Sequence, residues 1–216
     1  MYYTNSKSPE LFKNRYLELL TRTHPALIFL IYVTISSISA YIALTKYNFG
    51  NFELILFFIL GFLTWTLMEY LIHRYAYHDS HGNHSTKGIK YIIHGAHHMY
   101  PNDKRRILIS PLPALLISAF FVLIFYLTLG VRSYMFNSGF FIGYTFFMSI
   151  HYMVHSLPSP KRFNFWWRYH LIHHYQQPDR AYGVLTSFWD WVFQTLPEKK
   201  RKSKLVSRIH KSTPNK

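Results

Sequence analysis

Four long stretches that carry almost no charge restrict what this chain can become. Residues 25–45 are 21 uncharged positions, and 54–72 have Glu69 as their only charge. Residues 107–131 are uncharged, and 133–150 run on into His151 and His155. A helix of about 20 apolar residues crosses about 30 Å of hydrocarbon, so each stretch is long enough to span a bilayer. Buried helices of a water-soluble domain seldom repeat four times at this length. The expected fold class is an all-α integral membrane protein with four transmembrane helices, near 25–45, 54–72, 111–131 and 134–154, carrying a cytosolic helical cap. Short turns at 46–53 and 130–137 fold the spans into two hairpins.

Charge sets the orientation. Of 24 Lys and Arg residues only Lys46 and Arg132 fall in the two short turns, and the other 22 lie in the N-terminal segment, the central loop or the C-terminal region. Because cytoplasmic loops carry the excess of basic residues, both termini and the central loop are expected on the cytosolic side. Three regions follow: a cytosolic amphipathic segment at 1–24, a membrane domain at 25–198 and a basic tail at 199–216. In the first, Lys7, Lys13, Arg15 and Arg22 alternate with other residues without a cleavable-signal pattern. The tail has eight Lys or Arg and no acid. Beside apolar spans its expected partner is the anionic lipid headgroup, at about 1 kcal/mol per basic residue, rather than nucleic acid.

Composition removes several chemistries. The chain has no cysteine, which excludes disulfides, a thiol nucleophile and thiolate zinc sites. Nine acidic residues, with no Glu-x-x-His, do not supply the carboxylate bridges of helical-bundle di-iron proteins. No His-Glu-x-x-His is present, so the common metalloprotease pattern is missing as well.

Fourteen histidines are the remaining anomaly. Ten fall into four clusters: His73 and His78; His94, His97 and His98; His151 and His155; His170, His173 and His174. The triplets repeat His-x-x-His-His, whose members lie on one helical face, so each is expected to present its imidazoles to a common point. His73 and His78 stand about 140° apart on a continuous α-helix, which requires the second span to end or bend between them, or the two to serve different metals. All four clusters fall on the predicted cytosolic side. Neutral imidazole suits zinc, copper, iron and nickel. Ten donors exceed the four of one tetrahedral zinc site, so two metals of higher coordination number are implied, and redox iron fits. A ligating ring usually donates its other N–H to a carboxylate or carbonyl. Glu69, Asp103 and Asp190 are the acids placed for that, with Asp79 read as surface charge. His81 and His84 sit in a polar loop, His24 precedes Pro25 and His210 lies in the tail.

These clusters resemble the histidine boxes of the membrane fatty acid hydroxylase and sterol desaturase superfamily, with the closest likeness to fatty acid 2-hydroxylases. The similar segments are Glu69-Tyr-Leu-Ile-His-Arg-Tyr-Ala-Tyr-His78, then 94–106, then His151-Tyr-Met-Val-His155, then Tyr169-His-Leu-Ile-His-His-Tyr175 with Gly183 and Trp189-Asp190. Gly95, Pro101, Asp103 and Arg106 favour acyl hydroxylases over sterol enzymes. The resemblance implies two iron ions held by the ten clustered histidines, with zinc able to occupy the site in preparations and no catalytic residue beyond the ligands. It also implies O2 as cosubstrate and insertion of oxygen into a fatty acyl chain of a membrane lipid, at C2. The chain departs from the family at Phe147-Met148, where relatives carry Tyr-Asp. It has no counterpart of the haem cytochrome domain fused to some eukaryotic relatives, so a separate electron donor is expected, ferredoxin-like or a cytochrome with its reductase. Trp166, Trp167, Trp189 and Trp191 are expected at headgroup level. Desaturation or oxidation of a sterol, carotenoid or other lipid uses the same boxes. A non-catalytic metal-binding membrane protein is the remote alternative, since transporters place ligands near the bilayer midplane.

Overall fold

A computed structural model describes residues 8–79 and 86–198. His81, His84, His210 and the basic tail lie outside the described residues. Within them every regular element is helical. The short α1 (Arg15–Leu19) precedes α2 (Pro25–Lys46) and α3 (Asn51–Leu71), and α3 continues as a π-helical turn, Ile72–Tyr77. Then come α4 (Gly88–Lys90), a second π-helical turn (Tyr91–Gly95), α5 (Ala96–Met99) and α6 (Pro111–Leu129). A 3-10 turn at Gly130–Arg132 leads to α7 (Ser133–Ser156), followed by α8 (Phe165–Tyr175) and α9 (Phe188–Val192).

Local chemistry sets the helix ends. Pro25 opens α2 where a missing N–H costs nothing, and His24 caps it, its Nδ1 accepting the Ala26 N–H at 3.3 Å. Gly130 ends α6 at φ +56°, a conformation that L side chains avoid.

Three helical stretches are long and apolar enough to cross a membrane: Pro25–Lys46, Asn51–Tyr77 and Pro111–Ser156. The last is 46 residues long and doubles back at the 3-10 turn, with Phe121 against Phe140 and Phe125 against Phe136 at ring separations of 5.1 and 4.8 Å. Large apolar side chains such as Leu30, Ile38, Leu63, Leu116 and Leu127 point outward, while Ser36, Ser118, Asn137, Ser138 and Thr145 are buried. This distribution suits a lipid-facing surface around an interior rich in small and polar residues, as expected of a membrane protein.

Helix pairing differs from the sequence expectation. The turns connect α2 to α3 and α6 to α7, but the extensive contacts are those of α7 with α3 and with α2, and α2 scarcely touches α3. Small residues are the reason. Gly61 of α3 lies against the Phe136 carbonyl and Gly139 of α7 against the Phe58 carbonyl, so close that a Cβ would fall 2.0 and 1.9 Å from those oxygens. Across the α2 contact the Ser36 hydroxyl donates to the Ser138 carbonyl at 3.0 Å. The residue pairs make α3 parallel to α7 and α2 antiparallel to it. At the turn end Arg132 meets Glu53 at 2.6 Å and Tyr47 stacks on Tyr134. At the other end the π-helical turn after α3 and the end of α7 bring His73 and His151 to one crevice.

Gly139→Ala forces the α3–α7 contact apart and is expected to cost about 1–3 kcal/mol. The thermal unfolding midpoint in detergent should fall relative to wild type. Gly50→Ala is the control, because nothing lies within 4 Å of its Cβ position.

Candidate metal centre

The ten clustered histidines converge at this end of the bundle, and they form two sets of five. His73, His78, His94, His98 and His173 make one, all buried. His97, His151, His155, His170 and His174 make the other, with His155 half-buried and the rest buried. Within each set the donor nitrogens all lie within 4.8 Å of one another.

Local helix geometry explains the division and corrects the expectation that each triplet meets at one point. His94 and His98 are one turn apart and stay together, as are His170 and His174, and His151 and His155. Adjacent residues diverge by about 100°, so His97 leaves His98, and His173 leaves His174, for opposite sets. The π-helical turn at Ile72–Tyr77 bonds i to i+5, and a turn of roughly five residues carries His78 back to the side of His73. They therefore join one set, and the chain ends its helix at His78, which is extended at ψ 158°. The sets share a wall: His98 and His174 stack with centroids 4.0 Å apart and planes 14° from parallel.

The nitrogen contacts suit metal ligation. Nε2 atoms face each other at 3.1 Å in His73–His94 and His78–His173, 2.8 Å in His94–His98 and His155–His170, and 3.0 Å in His97–His151. Nδ1–H of His73 donates to the Tyr182 carbonyl at 2.5 Å and Nδ1–H of His173 to the Arg180 carbonyl at 2.7 Å. Those bonds assign the tautomer that turns the Nε2 lone pair inward, the arrangement of a ligating imidazole. Ligand nitrogens about 2.1 Å from a common ion stand up to about 4.2 Å apart, a few tenths of an ångström inside the 4.8 Å bound on each set, which makes each set a candidate for one ion. Neither set contains a carboxylate.

Burial, reinforced by neighbouring imidazoles, holds His94, His97, His170 and His174 well below the ordinary histidine value of 6.5, so the rings are neutral donors.

The four polar residues singled out beside the histidines take other partners in the described bonds. Glu69 Oε1 accepts the N–H groups of Val184 and, at 3.0 Å, Leu185. Asp190 accepts the N–H groups of Tyr182 at 2.9 Å and Gly183 at 2.8 Å, plus the Thr195 hydroxyl at 2.7 Å. Burial raises the Asp190 carboxyl above its usual value despite these bonds. Asp103 and Arg106 pin the N-terminal segment: Asp103 accepts the Ser8 N–H at 3.2 Å, and buried Arg106 donates to the Pro9 carbonyl at 2.7 Å and pairs with Glu18. Asp79 lies 3.7 Å from Lys90 at the surface. At His73 and His173 the ring-orienting groups in the described bonds are peptide carbonyls, which leave no mark in a sequence. Of the four tryptophans, only Trp191 is open, 64% exposed. The indole N–H groups of Trp166, Trp167 and Trp189 bond inward to the Leu185 carbonyl, the Leu157 carbonyl and the Thr66 hydroxyl.

A narrow crevice, with about 30 Å³ of free interior, reaches both sets. It touches His73 and His94 of one and His151 of the other, between apolar walls that include Ile93, Leu108 and Phe147, with Tyr77 and Tyr144 also lining it.

Helices long and apolar enough to cross a membrane, with ten imidazoles gathered at one end of the bundle, define a membrane protein with a polyhistidine candidate metal centre. Residues 58–195 match the fatty acid hydroxylase family model, and the chain belongs to that family. It is 34% identical over 197 residues to a dihydroceramide fatty acyl 2-hydroxylase of Arabidopsis thaliana, covering 88% of this chain and 81% of the relative. It is 35% identical to a ceramide very long chain fatty acid hydroxylase of Schizosaccharomyces pombe, covering 90% of this chain and 56% of that one. A fatty acid 2-hydroxylase of Rattus norvegicus is 34% identical over 64% of this chain and 39% of its own length. Among solved structures, the hydroxylase domain of full-length scs7p superposes with a TM-score of 0.78 at 30% identity, over 90% of this chain and 74% of that one.

Acid should weaken the centre. In the unfolded chain these histidines titrate near 6.5, whereas in the fold they stay neutral to lower pH. The unfolded state therefore binds more protons below about pH 6.5, and stability falls as pH drops through that range. The unfolding midpoint of the metal-free protein in detergent is expected to be lower at about pH 5.5 than at about pH 8. A flat profile would show that the rings are not held neutral.

Proposed function

We infer that this chain is a membrane oxygenase that hydroxylates a fatty acyl chain at C2, using O2, two iron ions and external electrons. The observation that carries the reading is the pair of five-imidazole sets at the ends of apolar helices, in a chain whose relatives are named for fatty acyl 2-hydroxylation. His73, His78, His94, His98 and His173 would hold one ion, and His97, His151, His155, His170 and His174 the other; the same donors suit zinc. When bound, a redox pair of irons supplies the oxidising strength that an unactivated C–H bond requires. The overall balance is one C–H bond, one O2, two electrons and two protons giving one C–OH and one water. The electrons would come from a separate donor, ferredoxin-like or a cytochrome with its reductase.

The protein's own part is to orient and to exclude water. Neutral, buried rings keep their lone pairs available without protonation. The crevice offers apolar walls to a methylene chain at the point where both histidine sets are reached. An acyl chain entering from the bilayer, with its carbonyl end near the cytosolic interface, would bring C2 to that point. This requires four spans with both termini and the metal centre cytosolic. The distribution of basic residues supports that orientation, and α6 with 19 residues and α7 with 24 are each long enough to cross alone.

Expression in a host that lacks 2-hydroxylated lipids tests the activity by lipid mass. Wild type should add one oxygen to acyl chains, and His97→Ala should return the product to background. Loss of two hydrogens would instead identify a desaturase. Unchanged lipids, with both metals bound and a working donor present, would count against an enzyme.

A further inference from the structure

One segment of the fold touches the centre without supplying a ligand. Five consecutive backbone N–H groups, at residues 181 to 185, are all held by groups outside the segment. Ala181 donates to the Thr195 carbonyl at 2.9 Å, Tyr182 and Gly183 to the two oxygens of Asp190, and Val184 and Leu185 to Glu69 Oε1. The conformation is demanding. Ala181 sits at φ +57°, and a Cβ on Gly183 would lie 2.1 Å from the Thr186 carbonyl oxygen and 2.9 Å from Asp190 Oδ2. Asp190 is in turn held by the Thr195 hydroxyl, which meets the Tyr70 hydroxyl at 2.9 Å, and Arg74 donates to that same phenol at 2.7 Å.

With its N–H groups turned toward these anchors, the strand of backbone presents two carbonyls to the histidines. Those of Tyr182 and, just before the clamped run, Arg180 accept from Nδ1 of His73 and His173. Both rings belong to the same five-histidine set. We propose that Asp190 and Glu69 are positioning residues that clamp the 181–185 backbone so that the Tyr182 carbonyl and the adjoining Arg180 carbonyl orient His73 and His173, making occupancy of that one metal set depend on the clamp. Neither carboxylate needs to touch an ion. Each acts through peptide groups, and the first set feels the clamp directly while the second is held by α5, α7 and α8.

The proposal rests on the reading that the two sets bind metal. Loss of a group that orients a ligand typically weakens metal binding by roughly 10- to 100-fold. Full-length protein in detergent, stripped and titrated with Co2+, gives metal stoichiometry and the ligand-field absorption spectrum without assaying turnover. His78→Ala and His155→Ala supply the reference spectra for loss of the first and second set. In Asp190→Asn an amide NH2 replaces an acceptor oxygen, and at the lowest free Co2+ that fills both sets of wild type the variant should fall from about two Co2+ per chain to about one, by the 10- to 100-fold weakening above. Its residual spectrum should match His78→Ala. Thr195→Val, which removes one bond to Asp190 and leaves the carboxylate in place, should shift the same set by a smaller factor, and it carries the test if Asp190→Asn does not fold. Two Co2+ bound at wild-type affinity, joint loss of both in a folded variant, or a residual spectrum matching His155→Ala would each overturn the clamp. A wild-type chain that binds no Co2+ would overturn the metal reading itself.

Discussion

The backbone contact between α3 and α7 is the constraint on which the rest of the structure depends. Two glycines, Gly61 and Gly139, face the opposite helix's carbonyl oxygens at distances no side chain could share. In a bilayer there is no hydrophobic drive to push helices together, because lipid tails are as apolar as leucine, and close packing of small residues supplies the attraction instead. That contact fixes the direction and register of two helices that would otherwise be independent. Since both run the same way, His73 and His151 arrive at one end, where both line the same crevice. The centre is then completed by elements with little hold of their own: two π-helical turns, α5 and the eleven-residue α8.

Gathering ten imidazoles in a buried volume is electrostatically favourable only for neutral rings, the form that burial favours. Protonated rings at this spacing would repel one another and face a desolvation penalty, and the same burial that lowers their proton affinity leaves their lone pairs free. The carboxylates are placed accordingly. Glu69 and Asp190 sit close enough to matter, yet their bonds run to peptide N–H groups, and the carbonyls of Arg180 and Tyr182 complete the connection to His173 and His73. A carbonyl carries a dipole where a carboxylate carries a charge, so the described ring-orienting bonds bring no net charge into the first set.

Much of this was legible along the chain, and the parts that were not share a cause. Long uncharged stretches mark the helices, and histidine spacing marks the candidate ligands, because both signals are local and strong. The α-helical period also suggested that each His-x-x-His-His triplet acts as a unit. It does not, because the 100° step between neighbours sends His97 and His98 to different sets. The separation of His73 and His78 signalled a break in regular α-helix, and the π-helical turn supplies it without interrupting the chain. Asp103 and Arg106 were conspicuous beside the second histidine cluster, yet their partners are Ser8, Pro9 and Glu18, nearly a hundred residues away in sequence. Helix pairing differs for the same reason. A short connection makes α2 and α3 consecutive, but contact follows the small residues of α7.

Read along the chain alone, the residues mark bilayer-length apolar stretches, exclude thiolate chemistry and space ten histidines as candidate ligands. Those conclusions depend on composition and on spacing within single helices, which the chain carries directly. Tertiary structure alone decided the five-and-five division, the dominance of α7 and the two carbonyls that orient His73 and His173. Each of these joins groups distant in sequence through backbone geometry, and a peptide carbonyl or a close helix crossing has no letter of its own.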